Sequence, residues 1–271
     1  MSRIAAAFER ARAERRAALI PYLMAGDPSL ERSAALAIAA ARAGADIIEL
    51  GVPFSDPIAD GPVIQRAAQR ALAQHTSLRQ ILEQVCDLRR TLATPIVLMS
   101  YYNPVFNLGP ELFARSAAAA GVDGVIVPDL PPEESDALAA ALEAAAIDLI
   151  FLAAPTSTRA RLALIARRSR GFVYYVSLTG ITGAQLPDLA TVERPIGTIR
   201  RLTKTPVAVG FGIATAAQAA AVAGFADGVI VGSALVRRIE ETGDDPNQIG
   251  EIERMLRELA AAVKRPPPAG G

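Results

Sequence analysis

A chain of 271 residues with 51% apolar side chains can bury a large core, and its length suits a single α/β barrel domain. Its 28 basic and 28 acidic residues cancel and form no basic stripe, which argues against a nucleic-acid partner. No apolar run approaches the ~20 residues of a membrane span, and the lone Cys86 gives no disulfide framework, so a reducing cytoplasm is expected.

The first element is a helix. Its Arg- and Ala-rich start could pass for a transit peptide, but Glu9, Glu14 and the Ile4–Phe8 spacing favour an ordinary amphipathic helix. A strand is expected over 18–23, a helix over 29–42 and a second strand over 46–50. That strand ends on Glu49, and alternation puts Ile47 and Glu49 on one face. The next stretch, E-L-G-V-P-F-S-D-P-I-A-D-G-P from Glu49 to Pro62, is too broken for helix or strand. Its acids, Asp56 and Asp60, stand on a loop beyond a buried strand, as functional acids do, although Asp also favours plain turns. Helices are expected over 62–73 and 78–92, with Cys86 on the latter as a small core or surface residue.

Six more strands follow, over 95–99, 123–127, 147–152, 172–176, 206–209 and 227–231, with helices such as 133–145 and 214–223 between them. Three joints repeat: A-G-A-D-I-I-E-L from Ala43, A-G-V-D-G-V-I-V from Ala120 and A-G-F-A-D-G-V-I-V from Ala223. Each reads as a helix end, a capping glycine, an aspartate and a β-branched run. Eight short strands alternating with helices predict a single-domain (β/α)8 TIM barrel over residues 1–265. It carries an extra N-terminal helix, an extra helix after strand two and a disordered tail over 266–271. An open doubly wound sheet is disfavoured, because Met24-Ala-Gly-Asp27 stands where a G-x-G-x-x-G would follow the first strand.

In such a barrel the chemistry lies at the carboxyl ends of the strands. These ends supply Gly26-Asp27, Glu49 with the Asp56/Asp60 loop, Tyr101-Tyr102-Asn103, Asp129, and a long Gly- and Thr-rich loop over 177–193. That loop has the look of a lid, with Gly180 and Gly183 as hinges and Thr182 as a donor. After strands seven and eight come Gly210-Phe-Gly212 and Gly232-Ser233, each opening a helix, where barrels grip phosphate with backbone amides. Thr215 with Gln218 reads as a capping box.

The inventory narrows the reaction. The only lysines are Lys204, which precedes strand seven, and Lys264 in the final helix, so a Schiff-base aldolase and lysine-bound pyridoxal phosphate both lack their nucleophile. His75 is the one histidine, which leaves no histidine set for a metal. Acid–base chemistry by carboxylates and tyrosines remains, and a desolvated Glu49 would have a raised pKa.

These residues resemble the tryptophan synthase alpha chain family from about Pro21 to Arg237. The specific block is Glu49–Pro62, and P-Y-L-M-A-G-D-P, Y-Y-N-P, V-P-D-L-P, S-L-T-G-I-T-G, V-G-F-G-I and V-G-S-A-L follow the family's order. The resemblance implies cleavage of indole-3-glycerol phosphate to indole and glyceraldehyde 3-phosphate. It implies Glu49 as proton carrier, Asp60 as the carboxylate holding the indole nitrogen, and Tyr174 as the active-site tyrosine, with Tyr175 its rival if the register slips by one. Gly183, Gly212, Gly232 and Ser233 map onto the phosphate grip, and Tyr22, Met99 and Phe211 onto the indole pocket, where the family often has Phe at the position of Tyr22. It further implies no cofactor in this chain, and a pyridoxal-phosphate-dependent β chain as partner in an αββα complex. Asp56 and the Asn103–Phe106 segment would face that partner, and the lid and the Asp60 loop would order on assembly. A stand-alone indole-releasing lyase and a silent regulatory subunit are the competing readings.

Overall fold

The computed structural model describes residues 1–176, 189–210, 212–243 and 245–264. Nine parallel strand segments form the sheet: β1 (Ala18–Met24), β2 (Ile48–Gly51), β3 (Ile96–Met99), β4 (Gly124–Ile126), β5 (Asp148–Ile150), β6 (Leu152–Ala153), β7 (Val173–Val176), β8 (Val207–Gly210) and β9 (Gly228–Val231). Twelve α-helices accompany them among the described residues: α1 (Arg3–Ala13), α2 (Leu30–Arg42), α3 (Pro62–Ala73), α4 (Leu78–Leu88), α5 (Tyr102–Leu108), α6 (Pro110–Ala120), α7 (Asp136–Ala144), α8 (Arg159–Arg168), α9 (Leu189–Leu202), α10 (Ala216–Ala223), α11 (Ser233–Thr242) and α12 (Gln248–Ala262).

The strand order β5-β4-β3-β2-β1-β9-β8-β7-β6 reconciles nine segments with the eight strands expected. β5 pairs with β4, β6 pairs with β7, and only Phe151 separates them. One interrupted strand therefore closes the ring into a barrel. Strand alternation divides the side chains between two cores. Ala18, Ile20, Ile47, Val97, Ile126, Ile150, Phe172, Ala208 and Ile230 fill the barrel interior, while Leu19, Ile48, Leu98, Tyr175 and Val209 pack outwards under the helices.

The base of the barrel is plugged by α1, whose Ile4, Ala7, Phe8 and Ala11 join the interior cluster. Phe8 meets Phe172 with ring centroids 5.7 Å apart. Gly124 leaves the room this needs, since a Cβ there would stand 2.8 Å from Ile4 Cδ1.

The repeated joints have a shared structural task. Asp46 accepts the Leu19 amide at 2.9 Å, Asp123 the Ile96 amide at 2.8 Å, and Asp227 the Val207 amide at 3.0 Å. Each aspartate thus holds the start of the neighbouring strand, and each also takes an arginine: Arg16, Arg89 and Arg200 respectively. The capping glycines differ. Gly44 and Gly121 adopt φ of +103° and +90°, whereas Gly224 remains helical at −59°.

Three expectations are corrected. The helix expected over 78–92 stops at Leu88. The one expected over 133–145 begins as a 3-10 turn, Pro132–Glu134, closed where the Ser135 amide and hydroxyl both donate to Pro132 O, and α7 starts at Asp136. The Asn103–Phe106 segment, for which no helix was expected, lies in α5, with Asp129 accepting the Tyr102 amide at 2.9 Å. The tail beyond residue 265 lies outside the described residues.

Candidate active site

The interior layer nearest the carboxyl ends of the strands is made of Tyr22, Glu49, Met99, Leu152 and Tyr174, all in phase with the apolar interior below them. Tyr22 pairs with Glu49 across β1 and β2, and Val97 sits opposite Glu49 on β3. Tyr174 faces this layer and Tyr175 faces the helices, fully buried, so the register places one tyrosine of the pair at the mouth. The backbone is bare where phenols lie flat. A Cβ on Gly51 would stand 2.0 Å from Tyr22 Oη, and one on Gly210 would stand 2.7 Å from Tyr174 Oη.

Glu49 is 1% exposed. Among the described residues neither of its carboxylate oxygens has a hydrogen-bond partner. Loss of hydration, reinforced by the nearby Asp60 charge, pushes its pKa up to about 8. Asp60, half-buried at the top of the loop, is raised to about 6 by the same desolvation, and a hydrogen bond from Tyr101 works in the opposite direction. Two carboxyl groups in one cavity are therefore driven apart, one a neutral acid near pH 7 and the other an anion. Burial and the same two carboxylates also raise the Tyr22 and Tyr174 phenols, which stay protonated.

The loop carrying Asp60 is tied down within the chain. The Asp60 amide donates to Pro57 O at 3.0 Å, and Gln65 Nε2 donates to Asp60 O at 2.9 Å. The Ala59 amide donates to Tyr101 Oη at 2.8 Å. Helix α3, which begins just after Asp60, is pinned by Arg70. Its guanidinium holds both oxygens of the buried Asp27 at 2.7 and 2.8 Å and reaches Glu240 of α11 at 2.8 Å. Sequence reasoning placed Asp27 at a strand end and missed its partner, because nothing local connects residues 27, 70 and 240.

Gly212, at φ +45°, and Gly232 flank the mouth on the side of β8 and β9. The two helices behind them are unequal. Thr215 and Gln218 form the expected capping box on α10, with Gln218 Oε1 accepting the Ala214 and Thr215 amides at 2.7 and 3.1 Å. Helix α11 starts at Ser233, and among the described residues no side chain caps its first amides. Among the described residues no group of three or more His, Cys, Asp and Glu could hold a metal. Thr182, Gly183 and Phe211 lie outside the described residues. Asp56 is exposed and accepts from Ser55 Oγ at 2.5 Å, and Asn103 is exposed on α5 beside Phe106, which is 63% exposed. His75 is an exposed turn residue and Cys86 an exposed residue of α4.

Comparison with known proteins agrees with this geometry. The sequence profile of the family described as "Tryptophan synthase alpha chain" matches residues 8–264. The tryptophan synthase alpha chain of Bordetella parapertussis is 54% identical over 96% of this chain and 91% of its own length. That of Thioalkalivibrio sulfidiphilus is 53% identical over 98% and 99%. Among solved structures, the alpha subunit from Legionella pneumophila superposes with a TM-score of 0.90 at 39% identity, covering 97% of this chain and 98% of that one. Tryptophan synthase of Mycobacterium tuberculosis also gives 0.90, at 43% identity over 98% and 99%.

Proposed function

The chain belongs to the tryptophan synthase alpha chain family, and from that premise we propose how its residues divide the work of the reaction. It is a lyase that cleaves indole-3-glycerol phosphate, the alpha subunit's step in tryptophan biosynthesis, and it pairs with a β chain.

Neutral Glu49 donates its proton to indole C3, while anionic Asp60 takes up the charge that appears at the ring N–H. Glu49, now a carboxylate, removes the proton from the side-chain hydroxyl next to the ring. The C–C bond breaks, its electron pair returns to the indole ring, the oxygen becomes the aldehyde carbonyl, and Glu49 regains its proton. Each turnover leaves Glu49 and Asp60 as it found them. Tyr22, Met99 and Phe211 would line the indole pocket, with Tyr174 closing it from β7. Gly183, Gly212, Gly232 and Ser233 would hold the phosphate through amides and the α11 dipole, with Thr182 closing over it. No cofactor enters these steps, and pyridoxal phosphate is assigned to the β chain. Asp56, Asn103 and the exposed Phe106 would face that partner in an αββα complex in the cytoplasm; no described helix is long and apolar enough to cross a membrane.

The observation that carries this reading is the unpartnered, dry Glu49 carboxyl facing Asp60. Indole release from indole-3-glycerol phosphate tests it, with the chain alone and with a β chain added. Release that rises sharply with the β chain is the expected result. Fast release by the chain alone would point to a stand-alone lyase, and no release in either case would overturn the assignment.

A further inference from the structure

We propose that Glu240 is a positioning residue for the cleavage. It registers the helix that follows Asp60 against the helix that opens at the phosphate grip, so that the two ends of the substrate are met at a fixed spacing. This rests on the reading above, in which Asp60 holds the indole nitrogen and Gly232 and Ser233 hold the phosphate.

Helices α3 and α11 lead away from the two halves of the site. α3 starts at Pro62, just beyond Asp60, and α11 starts at Ser233. Gln65 Nε2, in the first turns of α3, donates to Asp60 O at 2.9 Å, so the end of the Asp60 loop is carried by that helix. Among the described residues no side chain caps either start, and the placement of each depends on contacts further along its helix.

The apolar seam between the two helices is smooth. Val63, Ala67, Ala68 and Ala71 of α3 share one cluster with Tyr22, Met24 and Val236 of α11. Alanine methyls raise only shallow ridges, which exclude water without fixing the register.

Polar contacts supply that register. Arg66 and Arg70 lie one turn apart on the same face of α3, and both take Glu240. Arg66 Nε and Nη2 donate to Glu240 Oε1 and Oε2 at 2.7 Å each, and Arg70 Nη1 donates to Oε1 at 2.8 Å. Arg70 is not free to follow α11, because its Nε and Nη2 hold Asp27 at 2.7 and 2.8 Å. Asp27 is 3% exposed and stands at the mouth end of β1. On the other side, Gln248 Nε2 donates to Ile239 O and Gly243 O at 3.0 and 2.8 Å, which fixes the end of α11 against α12. Exposed ion pairs usually contribute little, but here the geometry is bidentate and one guanidinium is already immobilised. Among the described residues Glu240 is the only ion-pair link between α3 and α11. It lies about two turns from Ser233, and Arg66 about one turn from Pro62, so both lever arms are short. A ligand that spans the site needs both ends in place at once, and a ligand that reaches one end does not.

The test is Glu240→Ala, with Glu240→Gln as a second variant whose amide oxygen still accepts from an arginine. Calorimetry on the free chain compares three probes: a non-cleavable indolyl-alkyl phosphate that spans the site, glycerol phosphate for one end and indole for the other. Glu240→Ala should weaken the spanning probe about five- to tenfold while each single-ended probe changes by less than about twofold, with Glu240→Gln in between. In the complex with a β chain, kcat/KM for indole release should fall by a similar factor. Glu241→Ala, which removes the adjacent carboxylate paired with Arg238 of the same helix, should leave all three affinities unchanged. Unchanged affinity for the spanning probe, an equal loss for a single-ended probe, or the same loss in Glu241→Ala would overturn the proposal. A wild-type chain that neither binds the spanning probe nor releases indole with its β chain would defeat the functional reading and the proposal with it. Wild-type binding and release with no change in Glu240→Ala would defeat the role of Glu240 alone.

Discussion

At the scale of single residues, the two carboxyl groups predict a pH dependence whose limbs can be assigned. Asp60 must be ionised and Glu49 protonated, so kcat/KM should fall below about 6 and above about 8, peaking near neutrality. Glu49→Gln should lose turnover by several orders of magnitude while still binding the phosphate, and near-normal turnover would remove Glu49 from the proton-transfer role. The same substitution should stabilise the fold. Glu49 ordinarily titrates near 4.5 but near 8 in the folded chain, so between those values the folded state holds a proton the unfolded state has lost. Wild-type stability therefore declines as pH rises through that window and levels off above it, whereas the glutamine variant has no such slope. At pH 7 the variant should gain on the order of 2–4 kcal/mol, measurable by urea denaturation across the pH range. Glu49 was legible in the sequence because strand alternation alone turns it inwards with Ile47. Tyr101 was visible as a strand-end residue but carried no role, since its bond to the Ala59 amide spans 42 residues of chain.

At the scale of elements, the joints and helix starts carry the argument. The repeated aspartates looked like sequence punctuation, and the structure makes them clamps between adjacent strands at the base. Asp46→Ala would leave the buried Leu19 amide without its acceptor and the Arg16 guanidinium with only Glu14 and the Ala17 carbonyl, at a cost of roughly 1–3 kcal/mol. Thermal unfolding should show this with little change in substrate affinity, because the base lies opposite the mouth. Gly212→Val should do the reverse. A positive φ suits glycine there, and a side chain would intrude on the phosphate side, so substrate binding should weaken at least tenfold by calorimetry. Unchanged affinity would count against the phosphate assignment. Most strands and the capping box on α10 could be read from β-branched runs and the Thr215–Gln218 spacing. Helix α5 could not, because seven residues with Pro104 near the start and no capping side chain of their own give a pattern too short to register; Asp129, twenty-seven positions on, supplies the acceptor.

At the scale of the molecule, the barrel separates its tasks by depth. The base holds α1, the arginine–aspartate clamps and the junction of Arg16 with Lys264, while the mouth holds the unpartnered acid and the bare glycines. The eight-fold alternation made the barrel legible, but the interruption at Phe151 was not, because an apolar run of this kind reads the same whether its ladder is continuous or broken. That interruption gives the ring a clasp. Elsewhere neighbouring strands share three or four register pairs, but β6 meets β7 through two, Leu152 with Tyr174 and Ala153 with Tyr175. A ring opens where its ladder is thinnest, so backbone amides of β6 and β7 should exchange with deuterium sooner than those of β1 and β2. Because Leu152 and Tyr174 are also wall residues of the mouth, each brief parting of the clasp would change the width of the pocket itself, making barrel closure and pocket shape one and the same fluctuation.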